Sequence, residues 1–326
     1  MRKEQLEENQ ILIYAVVLIL GISFGFWSPN ISFFNINLEY LISPVLGILL
    51  YSMFAQIPYH QLYETFANKQ FFSIALLTVN FLIVPSVVWL LSLFLPEHPP
   101  LLLGLYLVLL TPCIDYVVVF THLGHGDAKL ILTSTPLLLL VQMLFLPLYL
   151  WLFMGEQATE VMKAEPFIDA FLFLIALPLL MAFLTEFWAK RHQSGTVWLQ
   201  MTSWFPVPFM ALALFLVVAS QIGRIDEFLS VVILVVPIFI IFMALMPFIA
   251  KLVANSFRLD AQASRALIFS AGTRNSLVVL PLALALPNEW MLTSVVIVTQ
   301  TLVELVGELV YIRYVPSIIP DEYKIL

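Results

Sequence analysis

The sequence predicts an all-α membrane protein with ten transmembrane helices, arranged as two inverted five-helix repeats. Composition, the number of long apolar runs and the distribution of basic residues lead to this prediction. Of 326 residues, 62% are hydrophobic and 11% are charged, whereas soluble domains average about 45–50% apolar and about 25% charged residues. A water-soluble enzyme, a disordered chain and a coiled coil are therefore excluded. The net charge of −7 also excludes a basic nucleic-acid-binding protein.

Ten apolar runs are long enough to cross a bilayer core of about 30 Å as helices. They are not barrel strands, because their apolar residues run continuously and do not alternate with polar ones. The predicted spans are Ile11–Trp27, Leu38–Ile57, Phe71–Leu95, Leu101–His122, Leu130–Met154, Phe167–Trp188, Val197–Ser220, Phe228–Val253, Ala263–Leu286 and Trp290–Tyr311.

The basic residues between the spans give the orientation. Eleven of the 14 Lys and Arg residues fall on one side, two fall on the other, and Arg274 lies inside a span. Because basic residues concentrate on the cytoplasmic side of a membrane, we expect both termini in the cytoplasm. We therefore expect a multi-pass protein of the cell (inner) membrane.

The spans divide evenly along the chain. Five precede residue 160 and five follow it, and an odd number in each half forces the halves into opposite orientations. We therefore predict one repeat over residues 1–157 and a second over residues 158–326. Inverted repeats are typical of secondary transporters, whose sites lie near the midplane on interrupted helices.

Two spans carry a break in matching positions, 161 residues apart. Span four contains Thr111–Asp115, with Pro112 as the breaking residue, and span nine contains Gly272–Ser276, with Gly272 as the breaking residue. A break frees backbone groups that need partners inside a membrane. For either span alone, a simple proline kink is the alternative interpretation.

Asp115 and Arg274 lie near the middle of their spans, where a charge costs roughly 2.5–3.5 kcal/mol. We expect the two side chains to lie close together where the broken spans cross. In a functional interpretation, Arg274 provides positive potential for a substrate and Asp115 titrates during coupling. The alternative is an ion pair that only fixes the two helices.

Cys113 is the only cysteine, so no intrachain disulfide can form. Lone buried cysteines usually serve as small apolar fillers. This one follows Pro112 at the break, and a nearby arginine would favour its thiolate, a soft ligand that suits trivalent arsenic. In span ten, Glu304 and Glu308 lie one turn apart. We expect Glu304 to be internal and Glu308, nearer the end, to be solvated or paired.

Several sequence signatures are missing. No Walker motif is present, so ATP does not drive the protein directly. Neither a Ser-His-Asp order, a metalloprotease helix nor a dinucleotide-binding loop occurs. We therefore expect a protein that is not an enzyme and that needs neither a cofactor nor a metal.

The segment Cys113–Asp127 resembles the fourth span of arsenite permeases, which belong to the bile acid/arsenite/riboflavin transporter superfamily. That family reads Cys-Ile, Val-x-Val, Leu and Gly-Asp at this spacing. Asn80–Pro85 resembles its third-span Asn-x-x-x-x-Pro, and Leu302–Glu304 resembles its tenth-span Leu-Val-Glu. The resemblance covers nearly the whole chain in span order, and its fourth-span part is the most specific.

The resemblance implies a core domain of spans 3–5 and 8–10, with spans 4 and 9 crossing, and a panel domain of spans 1, 2, 6 and 7. It also implies that Cys113 is needed for arsenite export. The sequence departs from the family in two places. Ser276 stands where the ninth-span motif has a functional glutamate, and Asp115 stands where the family has a small residue.

The first hypothesis is that the protein exports arsenite or antimonite in exchange for protons by alternating access. Na⁺ is the less favoured coupling ion. The alternative is an organic-anion symporter, sodium- or proton-coupled, in which Arg274 pairs with a substrate carboxylate. A transporter fold reused as a receptor or as a structural membrane protein is a third hypothesis, and a homodimer stays open. The candidate substrate contacts are Cys113, Arg274, Thr111, Thr273, Asn275 and Ser276, the coupling residues are Asp115 and Glu304, and Asn80 is a supporting polar residue.

Overall fold

The structure is a computed structural model that describes residues 9–27, 38–56, 70–114, 116–156, 169 and 172–321. The elements in these ranges are helical, and the described residues form no strand beyond one isolated bridge between Pro112 and Arg274. Asp115 and the predicted repeat boundary between residues 157 and 158 lie outside the described residues. The two repeats therefore stay a prediction.

We number the longer helices in chain order. Short π-helical turns at Val79–Ile83 and Leu172–Ala176 join or precede them, and a 3₁₀ turn at Asn288–Trp290 precedes the last helix. The helices are α1 (Gln10–Trp27), α2 (Glu39–Phe54), α3 (Gln70–Thr78), α4 (Val84–Ser92), α5 (Pro99–Leu109), α6 (Val117–Leu123), α7 (Ala128–Met154), α8 (Leu177–Ala189), α9 (Gln193–Thr202), α10 (Pro206–Glu227), α11 (Leu229–Ser256), α12 (Ala261–Gly272), α13 (Ser276–Leu284) and α14 (Met291–Ile318).

Within the described part of the chain, four helical stretches are each long and apolar enough to cross a membrane. They are Phe72–Ser92, Leu137–Met154, Leu229–Ser256 and Asn288–Ile318. The bent pair α9 and α10 would make a fifth. Large apolar side chains also stay exposed, among them Phe94 (79%) and Leu252 (67%), as expected where lipid replaces water. The chain is a multi-pass membrane protein, while the count of ten spans stays a prediction.

The predicted span over Val197–Ser220 is interrupted, which its continuous hydrophobicity did not indicate. The structure has two helices there, α9 and α10, bent by 43° at a short break. The break precedes Pro206, which has no backbone N–H and disfavours helical geometry in the residue before it. The chain therefore ends α9 at Thr202 and starts α10 at Pro206.

The chain forms two compact units. The first contains Met1–Gln56, Lys163–Leu229 and Leu280–Pro287. Within it α10 packs on α1 and α2, and α8 packs on α2 and α9. Two polar contacts of Tyr51 tie these helices together: its Oη lies 2.9 Å from Thr185 Oγ1 and accepts a 2.8 Å hydrogen bond from Trp198 Nε1.

The second unit contains Ile57–Met162, Ser230–Val279 and Asn288–Leu326. Its helix α14 packs tightly against α5. A Cβ added at Gly104 would come within 2.8 Å of the Thr293 carbonyl oxygen, so glycine permits this close approach. The interior of this unit is partly polar, and every candidate site residue that the structure describes belongs to it. Helix α13 begins in this unit and continues past its boundary at Val279.

Candidate functional site

The two interrupted helices end close to one another, and their unwound segments pair through the backbone. Helix α5 ends at Leu109 and α12 ends at Gly272. The Asn275 N–H then donates to the Thr111 carbonyl oxygen at 2.9 Å, and the Cys113 N–H donates to the Thr273 carbonyl oxygen at 3.3 Å. Each break thus supplies partners for backbone groups that the other leaves free, as a low-dielectric interior requires.

Side chains at the breaks complete the helix ends. Thr111 Oγ1 donates to the Leu107 carbonyl oxygen at 2.7 Å, and Thr273 Oγ1 donates to the Phe269 carbonyl oxygen at 2.6 Å. These threonines occupy corresponding positions at the C-terminal ends of α5 and α12. On the far side of the second break, Asn275 Oδ1 accepts from the Val278 N–H at 3.2 Å and so caps α13.

Arg274 is completely buried, and its guanidinium group binds carbonyl oxygens at the ends of both half-helices. Nη2 donates to the Ser270 and Ala271 carbonyl oxygens of α12, at 2.5 and 2.7 Å. Nη1 donates to the Leu109 carbonyl oxygen of α5 at 3.4 Å. Since the C-terminal end of a helix carries partial negative charge, the arginine neutralises two helix ends together.

Asn80 is the side chain that orients this guanidinium. Its Oδ1 accepts from Arg274 Nη2 at 2.9 Å, and its Nδ2 donates to Ser270 Oγ and to the Leu76 carbonyl oxygen, both at 3.1 Å. Asn80 is fully buried in the π-helical turn Val79–Ile83. The turn therefore places an amide against the end of α12.

Glu304 links α14 to both breaks. The fully buried carboxylate accepts a 2.5 Å hydrogen bond from Tyr116 Oη at Oε1 and a 2.8 Å bond from the Arg274 backbone N–H at Oε2. Gln300 Nε2 also donates to Oε2. Three donors from three chain segments thus converge on one carboxyl group, and sequence reasoning had expected Glu304 to be internal.

Glu308 is a further buried carboxyl group of the site. It is fully buried one turn beyond Glu304, and its Oε1 lies 2.7 Å from Thr273 Oγ1. Its Oε2 has no hydrogen-bond partner among the described residues. Glu308 is thus paired, one of the two outcomes expected from the sequence, and it belongs to the site more closely than its position near the span end indicated.

A proline frees a backbone carbonyl beside the site, and a tyrosine satisfies it. Pro85 has no N–H for the Phe81 carbonyl oxygen, four residues earlier, and Tyr149 Oη donates to that oxygen. The same arrangement occurs 162 residues further on, where Pro247 frees the Met243 carbonyl oxygen.

In that second copy the donor is Tyr311 Oη. Thr111 and Thr273 are related by the same separation, and so are Pro112 and Arg274, which form the isolated bridge. The separation is one residue more than the 161 predicted from the sequence, and the repeat itself stays a prediction.

The other candidate residues lie at the same place. Cys113, Asn275 and Ser276 are at most 1% exposed. Asn275 Nδ2 and Ser276 Oγ have no hydrogen-bond partner among the described residues. The expected contact between Asp115 and Arg274 involves a residue outside the described part and stays a prediction.

Sequence reasoning left Tyr116, Ser270 and Gln300 out of the site. Gln300 could have been found, because it lies one helical turn before Glu304. The other two bear no comparable signal, since a tyrosine and a serine are common in membrane helices. In the part of the chain that the structure describes, no group of three or more His, Cys, Asp or Glu residues is arranged to hold a metal ion.

The fold and the site together define a helical membrane protein in which two interrupted helices meet at polar groups, and interrupted helices of this kind occur in secondary transporters. The sequence profile of the Sodium Bile acid symporter family matches residues 43–230, more than half of the chain. The chain therefore belongs to this family, whose members are transporters and not enzymes. Comparison with curated proteins gives no match. Membership of this family supports the superfamily that the resemblance indicated. That the chain belongs to the arsenite permease branch stays a prediction.

Proposed function

We propose that the protein is a proton-coupled exporter of arsenite or antimonite that works by alternating access. The observation that carries this proposal is the position of Glu304, a buried carboxyl group that accepts hydrogen bonds from both breaks. Ionisable groups at this depth are costly and serve as proton relays in many transporters. A proton that binds Glu304 would weaken its bonds to Tyr116 and to the Arg274 N–H together, and so loosen the crossing.

The contacts of Glu308 support a proton as the coupling ion. Thr273 Oγ1 lies 2.6 Å from the Phe269 carbonyl oxygen and 2.7 Å from Glu308 Oε1. A hydroxyl group has one proton to donate. If Glu308 is ionised, both oxygen atoms next to Thr273 Oγ1 are acceptors, and the hydroxyl proton can reach only one of them. A protonated Glu308 could instead donate to Thr273, which would then donate to Phe269. A protonated carboxyl group thus allows both hydroxyl contacts at once, whereas beside an ionised one the Phe269 carbonyl oxygen keeps only its 2.9 Å bond from the Thr273 backbone N–H.

Cys113 is the proposed contact of the arsenic atom. Arsenite is mostly uncharged As(OH)₃ at neutral pH, so its recognition does not require a charged side chain. In binding, the Cys113 sulfur forms an S–As bond and one As–O bond breaks. The departing hydroxide takes the thiol proton and leaves as water. One thiol holds arsenic reversibly, as a carrier requires, and the buried sulfur would be reached when the crossing opens.

A second candidate is a sodium- or proton-coupled symporter of organic anions. The family match favours it, and the buried positive charge of Arg274 offers a partner for a carboxylate. Against it, the guanidinium already donates to three carbonyl oxygens and to Asn80. Among its nitrogens only Nε has no hydrogen-bond partner among the described residues, so a substrate carboxylate that binds the terminal nitrogens would have to replace these partners.

The proposal also covers the position of the protein in the cell. The excess of basic residues on one side supports cytoplasmic termini and a location in the inner membrane. The division into a core and a panel domain and the order of two repeats belong to the same proposal.

Proteoliposomes and arsenite-sensitive cells test the proposal. Wild-type protein should accumulate arsenite when a proton gradient is imposed and should restore growth on arsenite, whereas Cys113→Ser should do neither. A labelled bile acid, tested with and without a sodium gradient, serves as the competing substrate. Full resistance in cells with Cys113→Ser would refute the arsenite proposal, and sodium-dependent bile acid uptake would support the second candidate.

A further inference from the structure

We propose that the guanidinium group of Arg274 is a tethered cation, which occupies the place of a mobile sodium ion and makes the carrier independent of sodium. This inference builds on the family membership and rests on the proposed function only for the transport arm of its test. It assigns to Arg274 a role in selecting the coupling ion, which differs from binding the substrate.

The surroundings of the guanidinium have the chemistry of a site for a hard cation. Four oxygen atoms lie within hydrogen-bond distance of its terminal nitrogens: Asn80 Oδ1 and the carbonyl oxygens of Leu109, Ser270 and Ala271. Unwound backbone carbonyls and half-helix C-terminal ends are the groups that coordinate sodium in transporters built from broken helices. In this chain a side chain supplies the positive charge instead.

The charge of Arg274 is directed at the helix ends. Glu304 accepts from the backbone N–H of Arg274, and the guanidinium nitrogens donate to carbonyl oxygens and to Asn80. Two helix C-terminal ends meet at the guanidinium, each with partial negative charge. Without a cation these ends would repel one another in a site from which water is excluded.

The position of the charge also distinguishes a tethered from a mobile cation. A mobile ion can enter and leave with each transport cycle and thus draw energy from a sodium gradient. Arg274 is part of the chain and is completely buried, so it neutralises the helix ends in every cycle without any gradient. Coupling must then come from another ion, which the buried carboxyl groups of α14 can supply as a proton.

Thermal unfolding of the purified full-length protein in detergent tests the proposal, with sodium chloride and choline chloride compared at equal ionic strength. The wild type and Arg274→Lys, which keeps the charge, should melt at the same temperature in both salts. Arg274→Ala should melt about 4–8 °C lower in choline, because two helix ends lose their cation. Sodium should then restore part of this loss, because the four oxygen atoms become free to bind it.

Arg274→Met is the matched control, because methionine fills much of the same space without charge. It should melt lower than the wild type and gain nothing from sodium. The proposal is overturned if sodium stabilises the wild type, if Arg274→Ala equals the wild type in choline, or if sodium helps Arg274→Ala no more than Arg274→Met. If Arg274→Ala fails to fold, the melting temperatures of the wild type and of Arg274→Lys still test the proposal. A higher melting temperature in sodium than in choline for either protein refutes it.

The transport arm uses proteoliposomes with the same two salts. Wild-type arsenite transport should be equal in sodium and choline, and a sodium requirement would overturn the inference. Absence of arsenite transport in both salts would instead refute the proposed function. The unfolding experiment needs no substrate, so it would still test the role of Arg274.

Discussion

The backbone N–H of Arg274 donates a 2.8 Å hydrogen bond to Oε2 of Glu304. A carboxyl group on α14 thus holds the unwound segment between α12 and α13. Its other oxygen accepts from Tyr116, which follows the first break. One side chain is therefore bonded to both interruptions, and a change in its charge acts on both.

Glu304→Gln removes the titrating group while it keeps the size of the side chain. The amide presents a donor where the Arg274 N–H, Tyr116 and Gln300 all donate, so one hydrogen bond or more is lost. We expect proton-driven transport to fall at least tenfold, which corresponds to about 1.4 kcal/mol, and the remaining rate to lose its dependence on pH. Transport in proteoliposomes across a range of pH values measures both effects.

Glu289→Gln is the matched control, because Glu289 is an exposed carboxylate in the turn before α14. The control should transport at the wild-type rate. A Glu304→Gln protein that moves its substrate at the wild-type rate with an unchanged pH profile would contradict the assignment of Glu304.

The two tyrosine hydroxyl groups that bind proline-freed carbonyls give a second prediction. Tyr149→Phe leaves the Phe81 carbonyl oxygen without its donor, and Tyr311→Phe does the same to the Met243 carbonyl oxygen. Each variant should lose about 1–3 kcal/mol of stability, because a buried carbonyl loses its partner. The measurement is the melting temperature in detergent.

The same substitution on an exposed residue is the control. Tyr40 is 79% exposed, so Tyr40→Phe should leave the melting temperature unchanged. Equal losses for Tyr149→Phe and Tyr311→Phe would support the predicted repeat. If either variant melts like the wild type, the tyrosine of that half does not stabilise its proline break.

The sequence predicted a helical membrane fold and two interrupted helices, because both follow from residue types. Proline and glycine beside small polar residues predicted interruptions at Pro112 and Gly272, and the helices do end at Leu109 and Gly272. Glu304 lies deeper in its apolar run than Glu308, which predicted that it is internal, and the side chain is fully buried. The expected contact of Asp115 with Arg274 was a natural inference from two opposite charges, and it stays a prediction.

The partners that hold Arg274 could not be predicted in the same way. They are mainly backbone carbonyls, which every residue has, and so Leu109, Ser270 and Ala271 carry no signal in their side chains. The Tyr149 donor of the Phe81 carbonyl oxygen lies 68 residues away, and only the packing of α7 against the π-helical turn brings the two together. The bend before Pro206 was missed because hydrophobicity continues across it.

Gly272 gives a third prediction, because its α-carbon packs directly against a tyrosine ring. A Cβ added there would come within 2.6 Å of Tyr311 Oη, and the ring is held by its hydrogen bond to the Met243 carbonyl oxygen. Gly272→Ala should thus displace Tyr311 and cost about 1–3 kcal/mol, as overpacking usually does. Thermal unfolding measures the loss.

Gly47→Ala is the control for this change, because a Cβ there meets no atom within 4 Å. Gly47 lies inside α2, where alanine is the better helix former by about 1 kcal/mol. The control should therefore be neutral or stabilising. A Gly272→Ala protein as stable as Gly47→Ala would show that Tyr311 moves aside without cost.

The fourth prediction compares the two ends of one ion pair. Arg265 Nη2 lies 2.7 Å from Asp321 Oδ1, and the two side chains are 3% and 87% exposed. The arginine also donates to the carbonyl oxygens of Ile319 and His125, at 2.9 and 3.0 Å. It therefore holds the chain after α14 and the turn after α6 against α12, whereas Asp321 contributes only an exposed charge.

Removal of the two partners should accordingly have unequal effects. Asp321→Asn should cost at most about 1 kcal/mol, because exposed ion pairs contribute little. Arg265→Met should cost more, since it removes the donor of two carbonyl oxygens and leaves that of the buried Ile319 unpaired, which costs about 1–3 kcal/mol. Melting temperatures at low and high salt separate the effects, because only the ion pair is screened. If Asp321→Asn destabilised the protein as much as Arg265→Met, the carbonyl contacts would add nothing, and the ion pair alone would fix this end of the unit.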